Sequence, residues 1–115
     1  MKFPESQLQQ ACVTWFRYQH PHLSKLLIAV PNGGKRNARE AARLKAEGVV
    51  PGVADLLLLV TNCDHGCLGI EMKAGKGKQS VNQLQWQERF EQAGNKYVIC
   101  RSVEEFMKEV KEYLS

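Results

Sequence analysis

Two short apolar runs separated by a polar loop constrain this chain more than any other feature. "VADLLLLV" (53–60) and "CLGIEMK" (67–73) are rich in apolar residues, and "TNCDHG" between them is polar and contains a glycine. The pattern predicts a β-hairpin. If residues 61–65 form its loop, Val60 stands opposite Gly66, and counting outward brings Asp55 opposite Glu71. Directly opposed residues share a face of the sheet. Lys73, two residues beyond Glu71, shares that face as well, about 7 Å along the strand. The hairpin thus gathers two carboxylates and an ammonium beside its most hydrophobic segments. Such groups are rarely buried unless they are paired or hold a metal, because stripping their water is expensive.

The remaining elements follow from periodicity and punctuation. "PESQLQQACVTWFRYQ" opens with a proline suited to a first helical turn and repeats Leu8, Cys12, Trp15 and Phe16 at helical spacing. "KLLIAV" (25–30) predicts a strand closed by a "PNGG" turn, with His20 and His22 as exposed linker residues around Pro21. "NAREAARLKAEG" reads as a short helix capped by Asn37 and stopped at Gly48. "SVNQLQWQERFEQAG" carries a capping box, Ser80 with Gln83, and ends on glycine. "KYVICR" is a fourth strand. "SVEEFMKEVKEYL" begins with a second capping box, Ser102 with Glu105, and aligns Val103, Phe106, Val110 and Leu114 on one face. The order helix, strand, helix, strand, strand, helix, strand, helix predicts a layered α/β domain. Its sheet is mixed, because the hairpin is antiparallel and the helical crossover to the last strand favours a parallel pair.

A chain of 115 residues with 43% hydrophobic residues fits one domain, able to bury a core without staples. No apolar run approaches the roughly 20 residues of a membrane span, and "MKFPESQLQQ" lacks the apolar centre of a signal peptide. A cytoplasmic location without membrane contact is therefore expected, and the four scattered cysteines are expected to be reduced. The formal charge of +4 points to a polyanionic partner. Its distribution is uneven: "KRNAREAARLK" (35–45) and "KAGKGK" (73–78) concentrate the basic residues, either to solvate a helix and a loop or to meet a phosphate backbone.

Two carboxylates with β-carbons about 5 Å apart repel unless a cation lies between them. Their hard oxygens select Mg²⁺ or Mn²⁺ over zinc, and the Met72 carbonyl would add a ligand. Lys73 would then orient a water or help deprotonate it. This set suits phosphodiester hydrolysis, which needs a Lewis acid, an in-line water and help for the leaving oxyanion. The plain alternative is a surface ion pair between Glu71 and Lys73, with Asp55 as a strand-end turn residue.

Four blocks in order, "PNGG", "EGVVPGVADLLLL", "GIEMKAGKGKQSVNQ" and "AGNKYVICRS", resemble the VRR-NUC domain, a branch of the PD-(D/E)XK nuclease superfamily, over nearly the whole chain. The resemblance implies a restriction-endonuclease-like three-layer fold, with a central mixed four-stranded sheet flanked by helices. It implies an active centre of Asp55, Glu71, Lys73 and Gln83, joined by Glu5 as the only acidic residue on the first helix. Metal would be held by Asp55, Glu71, Glu5 and the Met72 carbonyl. Ala54, Met72 and Ala74 depart from the family's commoner residues without removing a functional group. Relative to the superfamily core, the basic 35–45 segment is an inserted helix. Asn32, Lys35, Arg36, Arg39, Arg43, Lys76 and Lys78 become the residues expected to contact DNA.

Small stand-alone members are associated with phages, which implies homodimers acting on branched DNA such as Holliday junctions in a bacterial host cell. No helix-turn-helix or zinc-finger pattern is present, so recognition by shape is expected. Two other readings stay open: a non-cleaving nucleic-acid-binding module, and a nuclease for flaps or duplex DNA. Cys63, His65 and Cys67 have the chemistry of zinc ligands but lack a second pair. Trp15 and Trp86 lie on helix faces, where core packing is the default over base stacking.

Overall fold

The structure, a computed structural model, describes residues 4–31 and 36–115. The expected "PNGG" turn, Asn32 and Lys35 therefore lie outside the described residues. Helix α1 (Pro4–Gln19) leads through a 3-10 turn (Pro21–Leu26) into strand β1 (Leu27–Ala29). Helix α2 (Ala38–Ala46), strands β2 (Leu56–Leu58) and β3 (Leu68–Met72), helix α3 (Val81–Gln92), strand β4 (Lys96–Cys100) and helix α4 (Val103–Leu114) follow. The strands form one mixed sheet in the order β1-β2-β3-β4. Both pairs involving β2 are antiparallel, and β3 runs parallel to β4.

Strand alternation divides the side chains between two helical layers. Leu68, Ile70 and Met72 of β3 join Leu56 and Leu58 of β2 in a core closed by Cys12 and Phe16 of α1 and by Phe106, Val110 and Tyr113 of α4. Each fully buried side chain of this kind contributes about 1.5–3 kcal/mol relative to an exposed one. Gly69 points the other way, towards α3. A β-carbon there would lie 2.7 Å from the Phe90 ring, so only glycine lets this helix approach the sheet so closely. Trp86 stacks on Phe90 with ring centroids 4.4 Å apart, which is packing within the α3 layer. Helix α3 covers the β3–β4 half of this face. Towards β1 and β2, large apolar side chains such as Leu26, Ile28 and Leu59 stay exposed.

Several expectations are corrected. The segment 25–30 is a strand only over Leu27–Ala29, because Lys25 and Leu26 close the 3-10 turn. His20 is no linker residue: its ring packs 5.1 Å from Phe16 and 5.8 Å from Trp15. Leu59 leaves the buried strand expected over 53–60 and is 46% exposed. Ser102 caps α4 by accepting from the Glu105 N–H, but the Glu105 carboxylate accepts from Arg101 N–H at 2.6 Å instead of returning to Ser102. The box is thus opened by one residue. Asn37 caps α2 as expected, accepting from the Glu40 N–H. All four cysteines are free thiols, and burial pushes Cys12 up to about 11 and Cys100 up to about 12. No described helix is long and apolar enough to cross a membrane.

Candidate active site

The hairpin register has the predicted sum. Leu56 pairs with Ile70 and Leu58 with Leu68, so Asp55, one residue beyond the ladder, comes opposite Glu71. Where the next rung would fall, the Asp55 side chain takes over from the backbone. Its Oδ2 accepts from the Met72 N–H at 2.7 Å, while its own carbonyl accepts from the Val30 N–H at 2.9 Å. The carboxylate is thereby fixed against the end of β3. The N–H and C=O of one strand residue point to the same neighbour, so the Met72 carbonyl is directed to this side too. The expected continuation of the ladder to Val60 and Gly66 does not form; Gly66 N–H instead donates to Gly94 O.

Glu71 is the one buried polar or charged residue among the described residues, with 1% of its surface exposed. Its carboxylate is held on several sides. Oε2 accepts from Gln83 Nε2 at 2.8 Å and lies 3.8 Å from Lys73 Nζ, and Oε1 accepts from the Tyr97 hydroxyl at 3.4 Å. Burial first, and then the neighbouring Asp55 charge, push Glu71 up to about 8, while Lys73 and Tyr97 pull the other way. The surrounding donors do not offset desolvation and repulsion. Without a cation to offset them, burial and the Asp55 charge both favour the protonated form of Glu71. A divalent cation in its place would leave both carboxylates ionised, and the all-oxygen donor set fits Mg²⁺ or Mn²⁺.

Gln83 reaches the site because of where α3 begins. Ser80 Oγ accepts from the Gln83 N–H at 3.2 Å and Gln83 Oε1 accepts from the Ser80 N–H at 2.8 Å, a complete capping box. That leaves the Nε2 end of the same amide for Glu71. The helix start is itself positioned by the "PGV" segment. Gly52 has φ +88, and a β-carbon on it would lie 2.5 Å from the Asn82 carbonyl oxygen.

Glu5 is placed at the edge of this constellation. It is exposed in the first turn of α1, and its Oε2 accepts from the Ala74 N–H at 3.3 Å, one residue past Lys73. It does not complete a metal-holding group with Asp55 and Glu71: among the described residues no three His, Cys, Asp or Glu side chains are so grouped. The same holds for Cys63, His65 and Cys67, of which Cys63 is exposed and His65 packs beside Tyr113.

The basic residues are distributed outside the buried centre. Arg36, Arg39 and Arg43 are exposed, and α2 buries none of its residues. Arg43 is engaged, with Nη1 3.0 Å from Glu47 Oε2. Lys76 and Lys78 are exposed in the loop after β3, which Arg101 tethers by donating from Nη1 to Gly75 O at 2.9 Å. Tyr97 and Gln79 were absent from the residues expected on sequence grounds. Tyr97 pairs with Gly69 in the parallel ladder, which puts its side chain on the Glu71 face, and Gln79 Nε2 donates to its hydroxyl at 3.0 Å.

Comparison with known proteins accords with this architecture. The VRR-NUC domain family model matches residues 3–104. A solved structure described as a "VRR_NUC domain protein" is similar with a TM-score of 0.84, at 21% identity, over 99% of this chain and 90% of that one. No curated protein matches the chain.

Proposed function

The chain belongs to the VRR-NUC domain family, a nuclease-type domain, and from that premise we propose that it is a Mg²⁺-dependent, structure-selective DNA endonuclease acting on branched DNA as a homodimer. The observation that carries the reading is the buried Glu71 carboxylate opposite Asp55, with Lys73 Nζ 3.8 Å from it. Mg²⁺ or Mn²⁺, when bound, would supply Lewis-acid chemistry at the phosphate. Asp55, Glu71 and the Met72 carbonyl would hold the ion. As an ammonium, Lys73 would orient the attacking water and favour the developing oxyanion on phosphorus; as a neutral amine it would first take the water's proton and so gain that charge. Gln83 keeps the Glu71 Oε2 oxygen in place. Glu5, bonded to Ala74 N–H, steadies the chain immediately after Lys73. Arg36, Arg39, Arg43, Lys76 and Lys78, with Asn32 and Lys35, neutralise the phosphate backbone.

Two features support branched DNA and a dimer. The pairing of a basic surface with no sequence-reading motif favours recognition by shape. The bare apolar face near β1 and β2, with Leu26, Ile28 and Leu59 exposed, suits a second copy of the chain, and a two-fold dimer presents two equivalent sites for symmetric cuts. The test is cleavage of four-way junction, flap and duplex DNA in Mg²⁺ or Mn²⁺, with Glu71→Gln and Asp55→Asn in parallel. Junction nicking by wild type alone is the expected result. Metal-independent binding without cleavage in all three proteins would replace the enzyme by a binding module, and light scattering at a monomer's mass would remove the dimer.

A further inference from the structure

A single chain of hydrogen bonds runs from Glu91 on α3 to Glu71, and its direction is fixed from one end. A carboxylate oxygen accepts only, so Gln87 presents Nε2 to Glu91 Oε2, at 3.4 Å, and keeps Oε1 for its other neighbour. That Oε1 accepts from Gln79 Nε2 at 2.8 Å. The second hydrogen of the same Gln79 nitrogen goes to the Tyr97 hydroxyl oxygen at 3.0 Å. Tyr97 is thereby occupied as an acceptor, and its own hydrogen is directed to Glu71 Oε1 at 3.4 Å. Every group in the chain has one consistent role.

Rigidity supports the same conclusion. Tyr97 is 7% exposed in β4, beside the strand that carries Glu71. Its ring lies 6.3 Å from that of Trp86, so α3 packs against it from the side. Gln83 fixes Oε2 from α3, and Tyr97 fixes Oε1 from β4. With both oxygens held, the carboxylate plane has little freedom to turn.

We infer that Tyr97 is a positioning residue for the metal-binding carboxylate of Glu71, and that Gln79 acts through it by setting the direction of its hydroxyl. The inference rests on the reading of Glu71 as a metal ligand. Partners of this kind behind a ligand typically change metal affinity 10–100-fold, and the 3.4 Å length places this one at the low end, about tenfold.

The test is calorimetric titration of Mn²⁺ into the full chain without DNA, for wild type, Tyr97→Phe, Gln79→Met and the double variant, with Asp55→Asn as the control. Metal-free thermal melting checks that each variant folds. Tyr97→Phe is expected to bind about tenfold more weakly, Gln79→Met less severely, and the double variant no more weakly than Tyr97→Phe alone. Unchanged affinity in Tyr97→Phe, while Asp55→Asn loses binding, overturns the positioning role and leaves the metal site standing. Equal weakening by Gln79→Met with and without the Tyr97 hydroxyl overturns the relay. If Tyr97→Phe does not fold, Gln79→Met decides: unchanged affinity counts against the inference. No heat in wild type, or heat unaffected by Asp55→Asn, removes the metal reading and this inference with it.

Discussion

Replacing Glu71 by glutamine is expected to stabilise the metal-free protein while abolishing its activity. Glu71 sits at about 8, against an ordinary value of 4.5. Between those two pH values the folded state retains a proton that the unfolded chain releases, so wild-type stability falls as pH rises through the window. Below about 4.5 the stability is fully present, and above about 8 the loss is complete. At pH 7, about 2.5 above the ordinary value, the ceiling on this penalty is on the order of 3 kcal/mol at ~1.4 kcal/mol per pH unit. Glutamine offers one acceptor oxygen where the acid offers two, so either Gln83 Nε2 or the Tyr97 hydroxyl loses its acceptor, which returns about 1 kcal/mol. A net gain of about 2 kcal/mol would raise Tm by roughly 8–10 °C in a domain of this size. Thermal melts in chelator from pH 4 to pH 9 would show the variant gaining on wild type as pH rises, from slightly lower at pH 4 to clearly higher, and levelling off above pH 8. A variant that melts lower than wild type at pH 8, or a difference flat across the range, would refute the account of Glu71 as a carboxylate held protonated by burial and by Asp55.

Other expectations follow from the same geometry. Lys73→Met should reduce cleavage by about 10²–10³-fold, with Mn²⁺ binding retained in calorimetry, because the amine serves the reaction and does not ligate. Gly52→Ala should cost about 2 kcal/mol or more in urea unfolding, since it combines a left-handed backbone with a 2.5 Å approach to Asn82 O, and should weaken Mn²⁺ binding by displacing the start of α3. Ser80→Ala and Gln83→Ala should each cost about 1 kcal/mol of stability by breaking the capping box, and Gln83→Ala, which also removes the contact to Glu71, should weaken Mn²⁺ binding the more. Arg39→Ala with Lys78→Ala should weaken binding of junction DNA and flatten its salt dependence by about 2 in log–log slope, whereas Arg43→Ala, whose guanidinium is engaged by Glu47, should do less.

The residues that were legible in the sequence are those fixed by local rules. A two-residue alternation and a short loop determine which side chains oppose one another, so Asp55, Glu71 and Lys73 could be brought together by counting. The Ser80 and Gln83 spacing located the start of α3 for the same reason. Tyr97 and Gln79 escaped because a parallel pair has no connecting turn to set its register; the packing of the crossover helix sets it, through contacts such as Phe90 against Gly69. The 3-10 turn over Pro21–Leu26 is too short to show a period, and the packing of His20 on Trp15 and Phe16 came from tertiary contact alone. The rotamer of Glu105, which serves Arg101 instead of Ser102, is likewise a choice between neighbouring donors that sequence spacing leaves undecided.

The Gln83 amide closes the first turn of a helix with one end and grips the central acid with the other. Fraying at that helix tip, the least protected part of any helix, would release the acid before the fold as a whole gives way. Warming should therefore silence the protein some degrees before it melts, and whatever steadies the tip should lift the temperature at which it works.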